Sequence, residues 1–112
     1  GAAGASASAA ALAAFQQKAV AVHCLLALCQ DPQLLVDLFI NYDCDLESPN
    51  LFEQVVNALV RVAQLPSPLV EAGLVSAEKD HAVRLDALRC LVHIMSSMRA
   101  WTDGDAAGPE AA

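Results

Sequence analysis

Three breaks punctuate this chain: Asp31-Pro32, the polar run from Asn41 to Pro49, and Leu65-Pro66-Ser67-Pro68. Between them every long segment repeats its apolar residues at steps of three and four. That spacing gathers side chains on one face of a helix, whereas a strand alternates its faces at every second residue. The available side chains agree with a helical reading. Hydrophobic residues make up 56% of the chain but aromatics only 4%, so a core must be built from Leu, Val and Ala. Ala and Leu lose little in a helix, while strands are filled best by β-branched and aromatic residues. The fold class expected is all-α, with about four to five helices.

The first helix is expected over Leu12–Gln30, with Phe15, Ala19, Val22, Leu26 and Cys29 on one face. Asp31 then suits an N-cap and Pro32 the first helical position, where its missing N–H costs nothing. The second helix, Pro32–Ile40, carries Leu34, Leu35, Leu38 and Phe39 and one charge, Asp37, so it should be buried on several sides. Asn41 suits a left-handed residue closing it. A third helix over Pro49–Gln64 separates its faces cleanly. Glu53, Gln54, Asn57, Arg61 and Gln64 form a polar stripe, and Leu51, Phe52, Val55, Val56, Leu59 and Val62 fill the rest. Residues 69–75 read as a loop or a single helical turn around Gly73. Ser76 is a plausible N-cap for a last helix reaching about Ala100. Its polar stripe is Asp86, Arg89, His93, Ser96 and Ser97. Val83, Leu85, Ala87, Leu88, Leu91, Val92, Ile94, Met95 and Met98 cover more than half of its circumference. Such a helix needs neighbours on two sides, as in an α-solenoid or a compact orthogonal bundle.

The chain's 112 residues suit one domain. Residues 1–11 are a low-complexity Ala/Gly/Ser stretch and read as a linker. Residues 102–112, acidic and rich in Ala and Gly with one Pro, read as another, leaving 12–101 as the helical domain. The N-terminus has no Met and no basic region, so it does not read as a signal peptide and suggests a fragment. The longest uninterrupted apolar stretch, Ala19–Cys29 with His23 in it, is shorter than the ~20 residues of a membrane-spanning helix. Net charge is −7 with only 6 Lys and Arg. Phosphate binding needs clustered basic residues, so nucleic acid is excluded as a partner and an anionic membrane is disfavoured. Four irregularly spaced cysteines fit reduced thiols better than a disulfide framework.

No catalytic or metal-binding constellation emerges. Asp43-x-Asp45-x-Glu47 opens like an EF-hand loop, but the sixth position is Ser48 in place of Gly and the twelfth is Gln54 in place of Glu. Cys90-x-x-His93 places two zinc-type ligands on adjacent turns. Yet there is no Cys-x-x-Cys, and the helical wheel sends His93 and Cys90 to different faces. No glycine-rich turn stands beside a Cys, and no phosphate-binding Gly motif occurs. His23 and His81 read as solvated, Met95 and Met98 with Trp101 as core packing, and no cofactor is expected.

One stretch is more particular than composition. Asn41-Tyr42-Asp43-Cys44-Asp45 matches at every position the Asn-(Tyr/Phe)-Asp-Cys-(Asp/Asn) box of the "homology upstream of Sec-seven" (HUS) domain of the large Arf guanine-nucleotide exchange factors, BIG and Sec-seven type. Asn50–Glu53, Val56–Gln64, Leu88–Val92 and Trp101 resemble flanking parts of that domain, and Leu46-Glu47-Ser48-Pro49-Asn50 resembles its plant and green-algal branch. The resemblance implies an armadillo/HEAT-like helical segment that is regulatory and scaffolding. It implies a cytoplasmic parent protein, peripheral on the trans-Golgi network membrane and serving vesicle traffic. The implied partners are a dimerisation and cyclophilin-binding (DCB) domain of the same or a second chain, and an Arf-family GTPase acting through a separate exchange domain. The full-length protein is expected to be a homodimer. The catalytic glutamate belongs to the exchange domain, so this chain is not expected to be an enzyme. Asn41, Tyr42, Asp43, Cys44 and Asp45 are the expected interaction or structural residues. The alternative is a generic HEAT/armadillo adaptor, including a Mon-two-like protein without an exchange domain.

Overall fold

Pro32 and the Pro66/Pro68 pair divide the backbone where the sequence says they should, because neither proline can donate to a continuing helical ladder. The structure, a computed structural model, describes residues 2–43 and 51–111, and the side-chain surroundings of 6–37 and 52–100. Among them are five helices and no strand: α1 (Ala2–Cys29), α2 (Pro32–Asp43), α3 (Leu51–Gln64), α4 (Pro68–Glu71) and α5 (Ala77–Ala111). The fold is all-α.

Side-chain and backbone caps fix the junctions. Asp31 Oδ1 accepts hydrogen bonds from the Gln33 and Leu34 N–H groups at 3.1 and 3.2 Å, starting α2. The last turn of α3 is closed by Arg84, whose Nε donates to the Ala63 carbonyl at 3.2 Å. Ser67 caps α4 by accepting from the Leu69 N–H. Residues 69–75 are a turn of helix closed by a Schellman motif. The Leu74 N–H donates to the Leu69 carbonyl and the Gly73 N–H to the Val70 carbonyl. Gly73 supplies the positive φ, 77°, that this motif requires. Ser76 Oγ accepts from the Lys79 N–H, the expected N-cap of α5.

α5 is the spine, and α1, α2 and α3 all pack on it. Its buried stripe is Val83, Ala87, Cys90, Ile94 and Ser97, spaced at three and four as one helical face requires. α1 runs parallel to it: Phe15 meets Val83, and further along both helices the Cys90 thiol reaches the Val22 carbonyl. α3 returns antiparallel, its C-terminal Ala63 lying against Arg84. One cluster joins Val22, Leu26, Cys29, Leu35, Leu59, Ala63, Ala87, Cys90 and Ile94; a second joins Phe15, Val75 and Val83 under α4. The face expected of α1 and the polar stripe of α3 are as the periodicity predicts, buried or half-buried and exposed respectively.

Elsewhere the structure corrects the sequence reading. α1 begins at Ala2 instead of Leu12, because an Ala-rich run costs little in a helix even with nothing large to bury. Ser6–Cys29 is consequently 24 residues long and apolar enough, by length and composition alone, to cross a membrane. It nevertheless buries Phe15, Val22, Leu26 and Cys29 against the rest of the protein, as a core helix does. α5 continues past Ala100 to Ala111. α2 does not stop at Ile40: Asn41 lies inside it and no residue other than Gly73 has a positive φ among those described. No Gly or Pro stands there to break the ladder. α2 is also less enclosed than expected, for Leu35 is buried while Leu34 is exposed. Ser97 is buried, and Met95 and Met98 are exposed where core packing was expected.

Candidate functional site

Asn41, Tyr42 and Asp43, the first three residues of the box, stand on α2. α2 touches α1, α3 and α5, and its anchor is Leu35, 3% exposed within the main cluster. Asp31 caps its start, and Gln33 Nε2 donates to Asp37 Oδ1 at 2.9 Å along its outer face. A helix held at its N-terminus and along its length sets the position of its C-terminal turn, where Asn41, Tyr42 and Asp43 lie. The first three residues of the box are thus helix, not turn as the sequence reading has it. Cys44, Asp45 and the Ser48-Pro49 start expected for the next helix lie outside the described residues.

The groups with chemical potential are kept apart. Cys29 and Cys90 sit side by side in the core, 1% and 0% exposed, and the Cys90 thiol donates to the Val22 carbonyl at 3.7 Å. Burial pushes the Cys90 thiol up to about 12, helped by the neighbouring Cys29 and Asp86, and burial likewise raises Cys29. Both stay protonated, and a protonated thiol is neither nucleophile nor metal ligand. Cys24 is exposed. His93 is half-buried and separate from Cys90 on the helix surface, as the wheel predicts. His23, well exposed, has Nδ1 3.5 Å from Asp86 Oδ2, and Arg89 Nη1 lies 3.6 Å from Asp86 Oδ1, a small surface bridge between α1 and α5. Among the described residues no three His, Cys, Asp or Glu side chains converge on a point.

A cleft of about 630 Å³ lies between the proline turn and the first turns of α5, lined by Pro66, Ser67, Glu71, Asp80, His81 and Arg84 among others. Its buried carboxylate is already engaged, since Asp80 Oδ1 accepts from the Ser67 N–H at 3.2 Å. The spacing of the sequence gives no hint of this bond, which spans 13 residues. The cleft thus reads as a structural joint, and its one buried acid holds a turn in place.

Residues 5–51 match the family model described as the HUS domain of Mon2/Sec7/BIG1-like proteins, a span that contains all five box residues. The chain is 45% identical over 87 residues, 78% of its length, to brefeldin A-inhibited guanine nucleotide-exchange protein 2 of Arabidopsis thaliana. It is 44% identical over 89 residues, 80% of its length, to protein 3 of the same plant. It is 36% identical over 95 residues, 85% of its length, to protein 1 of Homo sapiens. The chain spans about 5% of the length of each of these relatives. No solved structure matches it.

Proposed function

The chain belongs to the HUS-domain family of the large exchange factors, and on that premise we propose that it is a non-catalytic regulatory and scaffolding segment of a Golgi-associated Arf guanine-nucleotide exchange factor. In this reading the box at the end of α2 contacts a DCB domain, of the same or a second chain, within a homodimeric parent. Exchange on an Arf-family GTPase is the work of a separate domain, and the parent acts in vesicle traffic at the cytoplasmic face of the trans-Golgi network. Residues 12–101 are the functional unit, with 1–11 and 102–112 linking it to its neighbours. The family description also names Mon2-like proteins, so an adaptor of that kind is the second reading.

One observation carries the proposal: residues 5–51, the span that holds the box, match the HUS family model, and Asn41, Tyr42 and Asp43 stand in the last turn of α2. Asp43 and Asp45 are tested by replacing each with Ala and measuring both the melting temperature and binding to the DCB domain of a relative. The expected result is weaker binding by Asp43→Ala with the melting temperature unchanged. Unchanged binding by both variants would refute the docking role. For the second reading, purified protein should not accelerate nucleotide release from Arf under either hypothesis, and an exchange domain following in the reading frame decides between them.

A further inference from the structure

We draw no further inference here: the strongest candidate, the apolar groove between α1 and α3 lined by Lys18, Val22, Leu25, Val55, Leu59 and Val62, is an unpartnered face, and nothing in the structure shows what covers it.

Discussion

Asp80 is the single polar side chain whose loss should be felt most. It is 4% exposed, and its Oδ1 takes the Ser67 N–H at 3.2 Å, tying the Pro66-Ser67-Pro68 turn to the first turn of α5. Replacing it by Ala leaves that buried N–H without a partner, which costs about 1–3 kcal/mol. It also removes a negative charge from the positive end of the α5 dipole, worth about 0.3–1 kcal/mol. Together the two effects come to about 1–4 kcal/mol. For a domain of this size the middle of that range is a fall of roughly 10 °C in melting temperature. Asp80→Asn keeps an acceptor oxygen of the same shape and loses only the charge, so it should cost about 1 kcal/mol. Urea unfolding of the three proteins, followed by circular dichroism, gives the comparison directly. An Asn variant as damaged as the Ala variant would show that the hydrogen bond to Ser67 is not what matters. An Ala variant within about 0.5 kcal/mol of the parent would refute the assignment altogether, since surface substitutions fall in that range.

The cysteines give two further expectations. Maleimide labelling of the native protein, mapped by peptide mass spectrometry, should modify Cys24 and spare Cys29 and Cys90, because Cys24 is exposed while Cys29 and Cys90 are buried and protonated. Stability should also fall at alkaline pH. The folded state holds the Cys90 proton up to about 12, above its ordinary value of 9.0, so the unfolded chain ionises first. The contribution is therefore complete below pH ~8.5 and is lost between there and about 12, by at most about 1.4 kcal/mol per pH unit. Urea midpoints measured from pH 8 to 11 should decline less steeply for Cys90→Ala than for the parent, and parallel curves would contradict the assignment.

Where periodicity and capping agreed, the sequence was legible. Phe15, Val22, Leu26 and Cys29 form the buried face of α1, Asp31 caps α2, and Ser76 caps α5. These follow from spacing within one helix or from a side chain reaching two or three residues ahead. The misreadings come from two sources. Helix ends were placed where composition changed. Yet Ala-rich ends prolong a helix as readily as Leu-rich ones, and Asn41 closes nothing when no Gly or Pro follows it. The second source is that the number of neighbours cannot be read from a wheel. The pattern of α5 correctly shows apolar residues on most of its surface, but whether Met95 meets a core or solvent depends on helices packed from afar. The Asp80–Ser67 bond is of the same kind, being fixed only once the α4 turn folds back on α5. The family was legible in the sequence, and the helical state of Asn41–Asp43 was not.

The geometry also separates the two faces of α5. α2 joins the core through Leu35, which packs with Ala87, Cys90 and Ile94 on the inner face of α5. α5 holds its inner stripe through side chains in close contact, Ile94, Cys29 and Cys90 being fully buried. Leu88, Val92 and Met95 lie exposed on the outer face of the same helix. The body of α5 therefore stands between the core that anchors α2 and those three residues.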